Sequence, residues 1–122
     1  MASAERPLPP WLTVTTDTAP AVVDGRACRT RAAFFDEVAR ALRLPAYFGR
    51  NWDALTDSLR DVGPVHLAVE HAEELLAAEP PGQFATLLAV LADAAEAGLT
   101  LTLHTDPAHE PRLRRRLTES LP

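Results

Sequence analysis

Three short apolar runs, with helical segments between them, constrain the fold of this chain more than any other feature. Residues 21–23 end at the turn pair Asp24-Gly25, residues 65–69 resemble a strand buried on both faces, and residues 99–103 alternate apolar and polar side chains. Helices between successive strands favour parallel pairing with right-handed crossovers. The sequence therefore predicts an α/β fold with a three-stranded parallel β-sheet flanked by helices.

Two helices are predicted between the first and second of these strands. Thr30 offers a capping hydroxyl ahead of a helical apolar period that begins at residue 31. Pro45 disfavours the helical conformation at the residue before it, so residues 44–50 form a turn or loop. Asn51 is a good N-cap for a second helix, which runs to about residue 60. Three residues at helical spacing define its buried side: Trp52, Leu55 and Leu59.

The segment between the second and third strands is also predicted to be helical. Residues 73–78 suit one or two helical turns, and residues 84–95 have the period of the longest amphipathic helix, with Gly98 as its stop. Every connection between successive predicted strands therefore contains helices.

The two ends of the chain are predicted to lie outside this unit. Residues 1–20 form a flexible N-terminal extension in which residues 11–15 could only be a short edge strand, because proline flanks them. Residues 21–105 form the single domain. Residues 106–122 form a C-terminal extension that could be an Arg-rich amphipathic helix. Its arginines either contact a phosphate or RNA or, as we favour in so acidic a chain, form a solvated face against the acidic body.

Charge is concentrated in the middle of the chain. The 122 residues include 17 acids and 12 basic residues, a net charge of -5, whereas residues 36–96 hold 11 acids and 4 arginines, a net charge of -7. Such a surface repels nucleic-acid phosphates and attracts a basic protein. We therefore expect no direct nucleic-acid binding, and a basic protein as the partner.

Two further classes lose support from composition. No apolar stretch approaches the roughly 20 residues that span a bilayer, and no leader opens the chain, so we expect no membrane contact. Cys28 is the only cysteine and can form neither an internal disulfide nor a Cys-rich zinc cluster, which favours a reducing compartment. The expected location is the cytoplasm.

The histidines do not form a recognisable catalytic or metal motif. His66 and His104 fall in predicted strands, His109 lies in the polar tail, and His71 lacks a second histidine four residues away. We therefore expect no catalytic residues, no metal and no cofactor, and the chain is not predicted to be an enzyme. An enzyme that uses His71 with Glu73 or Glu74 stays as an alternative.

The segment from residue 44 to residue 61 carries the most information about function. Asp53, Asp57 and Asp61 are four residues apart, so on a helix they lie along one face and repel one another. The aromatic pair Tyr47-Phe48 stands just before them in the loop. This face is either a solvated acidic surface or a partner-binding surface with aromatic anchors, and the aromatic pair favours the second.

The same segment resembles the signature of the barstar family, whose members include the intracellular inhibitor of the ribonuclease barnase. The resemblance rests on Leu44-Pro45-Ala46-Tyr47-Phe48-Gly49-Arg50-Asn51-Trp52-Asp53-Ala54-Leu55-Thr56-Asp57 and covers about residues 21–105. It implies a three-stranded parallel sheet flanked by helices. It also implies a cytoplasmic bacterial inhibitor that blocks a basic, guanyl-specific ribonuclease of the barnase type with acids that mimic substrate phosphate.

The resemblance also assigns roles to individual positions. Asp57 corresponds to the central aspartate that enters the phosphate pocket of the ribonuclease, Asp53 to a second interface acid, and Tyr47 to the aromatic residue that covers the active-site histidine. Asn51 and Gly49 correspond to loop positions that shape the contact.

The remaining corresponding positions include departures from the family. Asp93 takes the place of a peripheral interface glutamate, Thr56 stands where barstar has a tryptophan, Arg50 replaces an acid, and Ala97 lacks a second acid on the last long helix. These departures favour a cognate enzyme other than barnase. We expect the free protein to be monomeric. The alternative is a barstar-like immunity or regulatory protein that binds a partner other than a ribonuclease.

Overall fold

A computed structural model describes residues 7–16 and 23–122 of the chain. Its strands are β1 (Leu12–Thr15), β2 (Val23–Asp24), β3 (His66–Glu70) and β4 (Thr100–His104). Its helices are α1 (Arg31–Leu42), α2 (Trp52–Val62), α3 (Pro81–Ala95) and α4 (Glu110–Ser120). Two short 3-10 turns, Gly25–Ala27 and Ala72–Glu74, follow β2 and β3. This order confirms the predicted α/β class.

The sheet has four strands, so the predicted count of three is wrong. The order is β1-β4-β3-β2, and every pair is parallel. The additional strand is β1, the predicted edge strand, in which Leu12 and Val14 are buried while β4 supplies its backbone partners. Two inward-facing apolar residues suffice to hold so short a strand at the edge. The predicted first core strand is described from Val23 onward, and its first two residues lie outside the described part of the chain.

The helices begin and end close to where the sequence predicts. The Thr30 side chain accepts a hydrogen bond from the Ala33 amide at the start of α1. The longest helix, α3, starts three residues earlier than its apolar period, because Pro81 is well suited to a first helical turn. It ends three residues before Gly98.

The core lies between the sheet and the helices on its faces. It includes residues from all four strands and all four helices, and β1 and α4 contribute Leu12, Val14, Leu113 and Leu117. Cys28 is fully buried within it, and burial raises the pKa of its thiol to about 12. The predicted division at residues 21 and 105 stays a prediction.

Two glycines fix the chain near the sheet and α2. A side chain at Gly25 would collide with the backbone carbonyl of His71, so glycine allows the ends of β2 and β3 to approach closely. Gly63 adopts a φ of 75° and donates its amide to the Leu59 carbonyl, which ends α2.

Among the helices within residues 7–16 and 23–122, none combines the length and apolarity needed to cross a bilayer.

Candidate partner-binding surface

Helix α2 turns its predicted acidic face to solvent. Asn51 caps the helix as predicted, because its Oδ1 accepts a hydrogen bond from the Ala54 amide at 2.8 Å. Leu55 and Leu59 are fully buried against the core, whereas Asp53 and Asp57 are exposed. Helical periodicity alone places the leucines and the aspartates on opposite sides.

The exposed aspartates of α2 have no cationic partner of their own. Asp53, Asp57 and Asp61 form no salt bridge and accept no side-chain hydrogen bond within the described part of the chain. Three carboxylates at four-residue spacing therefore lie in a row about 6 Å apart along the helix. Arg60, three residues after Asp57, attracts that carboxylate without a salt bridge, so the row is a negative surface that is compensated only in part.

Trp52 lies at the border between the buried and exposed sides of α2. The sequence places it on the buried side, and the structure shows it half-buried. Its ring packs at 4.9 Å from the ring of Phe35 and at 5.9 Å from that of Phe34. Its indole Nε1 donates a hydrogen bond to Gln83 Oε1 at 3.0 Å. Trp52 therefore attaches the first turn of α2 to α1 and α3, and does not serve as an exposed anchor.

The loop before α2 separates its two aromatic residues. Tyr47 is 88% exposed, whereas Phe48 is only 6% exposed and packs edge-on against Phe35 at 6.1 Å between ring centroids. The Phe48 amide also donates to the Pro45 carbonyl at 2.9 Å. Because Phe48 anchors the loop in the core, Tyr47 is held in solvent four residues before the N-cap of α2.

Arg50 and Asn51 brace the same loop. Arg50 adopts a φ of 50°, donates from Nε to Asp36 Oδ1 at 2.7 Å and from Nη1 to the Phe48 carbonyl at 3.3 Å. The Asn51 side chain donates to the Gly49 carbonyl at 3.3 Å. Arg50, which replaces an acid of the family pattern, therefore neutralises Asp36 and fixes the backbone on both sides of the exposed Gly49.

Thr56 has a local hydrogen bond where the family has a tryptophan. Its Oγ1 donates to the Trp52 carbonyl one turn earlier at 2.9 Å, and the residue is half-buried. The hydroxyl is therefore satisfied within α2.

Asp93 of α3 stands beside α2 but is not free. Arg60 Nε donates to Asp93 Oδ2 and Arg60 Nη2 donates to Asp93 Oδ1, both at 3.0 Å. This paired contact raises the pKa of the Arg60 guanidinium. The sequence did not suggest the Arg60–Asp93 pair, because the two residues are 33 positions apart and no local pattern connects them.

The roles of Tyr47, Gly49, Asn51, Asp53, Thr56, Asp57 and Asp93 in binding stay predictions. The structure brings the first six together in one loop and the first two turns of α2, and places Asp93 on the neighbouring helix. Sequence reasoning missed the bracing roles of Arg50, Arg60 and Phe48. For Phe48 a signal existed, since phenylalanine is buried more often than tyrosine.

Other titratable groups cluster at the carboxyl ends of the strands, outside this surface. Two sets bring possible metal-ligand atoms within 4.8 Å of one another: Asp24, Glu70 and His71, and Glu73, Asp106 and His109. Members of both are engaged within the protein: Asp24 with Arg26, Glu73 with Thr105, and Asp106 with His109. His71 Nδ1 lies 3.9 Å from Glu73 Oε2. The prediction of no metal stays a prediction.

The chain is a small parallel α/β domain with an acidic helix face and an exposed tyrosine in the loop before that helix. The family model described as Barstar (barnase inhibitor) matches residues 18–110. The chain therefore belongs to the barstar family. No curated protein matches the chain.

Proposed function

We propose that the chain inhibits a basic, guanyl-specific ribonuclease of the barnase type by covering its active site. The proposal rests on the row of unpaired carboxylates on α2 beside Tyr47, in a chain of the barstar family. The printed description of that family is barnase inhibitor. The protein acts as a monomer in the cytoplasm and catalyses nothing.

The charge of the α2 face suits a site built to bind phosphate. A ribonuclease that binds RNA presents cationic groups where the substrate phosphates lie, and a carboxylate offers these groups the same negative oxygen acceptors. Asp57 lies in the middle of the row and is the residue that enters the pocket, with Asp53 and Thr56 beside it. The net negative charge of the row also accelerates association with a basic protein, because the two fields attract at long range.

The loop supplies the apolar part of the contact. Tyr47 is almost fully exposed before binding, and the buried Phe48 and braced Arg50 restrict the loop that carries it. An aromatic side chain on a restrained loop loses little conformational freedom on binding. Gly49 and Asn51 bring the loop backbone to the partner in this proposal. Within the protein, a larger side chain at Gly49 would crowd the Ala54 methyl group.

The test is inhibition of RNA cleavage by purified ribonucleases. Wild-type protein is mixed with a panel of small basic guanyl-specific ribonucleases, barnase included, and the inhibition constant is measured at several salt concentrations. Asp57→Ala should weaken inhibition of the most strongly inhibited enzyme by about 2 to 5 kcal/mol, because it leaves buried cations without a counter-charge. Measured interfaces, among them the barnase–barstar complex, give this range.

The matched control is Glu119→Ala, which removes an exposed acid from α4, away from the α2 face. It should leave inhibition within about twofold of wild type, because a remote screened charge contributes little. Equal inhibition by Asp57→Ala and wild type, with matched thermal stability, would contradict the proposed site. Binding through Asp57 to a protein without ribonuclease activity would support the alternative immunity or regulatory role.

A further inference from the structure

The Arg60–Asp93 pair changes which charges α2 and α3 offer to a partner. Both oxygens of Asp93 accept hydrogen bonds from Arg60 at 3.0 Å, and the two side chains are 57% and 32% exposed, with the larger fraction on Arg60. Since the paired charges sum to zero, Asp93 adds little negative potential at the seam between the two helices. The carboxylates of Asp57 and Glu96 also attract Arg60, so repulsion of a partner cation at the seam is local to the Arg60 guanidinium.

The free donors of Arg60 make the seam unfavourable for a cation. A guanidinium has five N–H donors, and the contact with Asp93 uses one on Nε and one on Nη2. The other donors lie on a side chain that is more than half exposed. A lysine or arginine of a partner placed there would meet N–H groups instead of carboxylate oxygens, and like-charge contact is costly across an interface.

We propose that Arg60 is a specificity-determining residue: it withdraws Asp93 from partner binding and excludes partners that carry a cation opposite the α2–α3 seam. This inference rests on the proposed function. The favoured partner is a basic ribonuclease whose cations face the α2 row alone and whose surface opposite Arg60 offers a hydrogen-bond acceptor, such as a carboxylate. Selection works through repulsion at the seam as well as attraction at the row.

The experiment is a double-mutant cycle with barnase as the probe. The four proteins are wild type, Arg60→Gln, Asp93→Asn and the double variant, and the association rate and dissociation constant are measured by stopped-flow fluorescence at low and moderate salt. Glutamine keeps much of the length and polarity of arginine without its charge. The ion pair is solvent-accessible and contributes little to stability, so all four proteins should fold.

Arg60→Gln should bind barnase at least about fivefold more tightly than wild type, mainly through faster association, because it frees the Asp93 carboxylate and removes a like charge. Asp93→Asn should change wild-type binding by less than about twofold, since Asp93 is already neutralised. In the Arg60→Gln background the same change should remove most of the gain. Arg114→Gln, which removes one positive charge from α4, is the matched control and should have little effect.

Three results would overturn the inference. These are binding by Arg60→Gln no tighter than wild type, an equal loss from Asp93→Asn in both backgrounds, and no measurable binding by any of the four proteins. Asp57→Asn, measured in parallel in the Arg60→Gln background, separates this inference from the proposed function. If Asp57→Asn weakens binding while the Arg60 cycle shows no coupling, the inhibitor surface stands and only the role of Arg60 fails. If Asp57→Asn weakens binding neither to barnase nor to the most strongly inhibited ribonuclease of the panel, the proposed function fails.

Discussion

Helices α2 and α4 are alike in size and anchoring and differ in how they use charge. Each has 11 residues and two fully buried leucines, Leu55 and Leu59 in α2 and Leu113 and Leu117 in α4. The aspartates of α2 form no salt bridge within the described residues. The difference between the two helices therefore lies on their exposed faces.

In α4, several charges are engaged within the protein. Arg114 Nε donates to Glu110 Oε2 one turn earlier at 3.1 Å. The guanidinium carbon of Arg116 lies 3.7 Å from the ring centroid of Phe84, so the side chain packs on α3. Burial lowers the pKa of Arg116. Equal burial therefore does not distinguish the two helices, whereas the sign of their exposed charge does, because α4 exposes Arg112 and Arg115 where α2 exposes aspartates.

The largest effect on the free energy of unfolding is expected from the buried leucines that both helices have. Leu59→Ala and Leu117→Ala should each lower the free energy of unfolding by about 2 to 5 kcal/mol, because each leaves a cavity in the core. Urea denaturation followed by circular dichroism measures this. A loss below about 1 kcal/mol for Leu117→Ala alone would show that α4 is a separable extension, as the division at residue 105 predicts.

Removing a charge should change the free energy of unfolding by a smaller amount, with opposite signs in the two helices. Asp57→Asn relieves repulsion from the aspartates one turn before and after it, and the lost attraction to Arg60 offsets part of this, so it should stabilise the protein by at most about 0.2 to 0.5 kcal/mol. Glu110→Gln breaks the pair with Arg114 near the helix N-terminus, so it should destabilise the protein by a similar amount. The measurement is urea denaturation at low salt.

Raising the salt concentration should shrink both of these differences, since both charges are accessible to solvent. Stabilisation by neither variant, or by both, would remove the contrast between the helices. A stable Asp57→Asn variant that no longer inhibits a ribonuclease would sharpen it, because the free charge would then serve binding at a small cost to folding.

The smallest expected effect is a pH dependence of stability that comes from the turn before α4. There, His109 Nδ1 lies 2.7 Å from Asp106 Oδ2. This contact raises the pKa of His109 and lowers that of Asp106. The histidine contribution to stability is therefore complete below its ordinary pKa of about 6.5 and is lost as the pH rises through its raised value. The aspartate contribution is complete above its ordinary pKa of about 3.9 and is lost as the pH falls through its lowered value.

NMR titration of the His109 ring checks this pair. Asp106→Asn should return the His109 pKa towards its ordinary value. Ribonuclease inhibition should keep its pH dependence in the variant, since the pair lies outside the α2 surface. An unchanged His109 pKa would mean that the contact does not persist in solution.

Much of the candidate surface follows from the sequence by itself. The Asn51 cap, the burial of Leu55 and Leu59 and the exposure of Asp53 and Asp57 all depend on residues within about one or two helical turns, so local spacing determines them. The α/β class is fixed in a similar way, because strand and helix periods alternate along the chain. The motif of the loop and α2 also identifies the family without any coordinates.

Only the tertiary structure decided which acids stay free. Asp36 and Asp93 look as available as Asp57 in the sequence, yet Arg50 neutralises the first and Arg60 the second. It likewise decided that residues 12–15 extend the sheet to four strands, because Leu12 pairs with Leu101 at the far end of the chain. Periodicity records only a residue's near neighbours, whereas ion pairs between helices and the pairing of distant strands depend on packing that brings remote segments together.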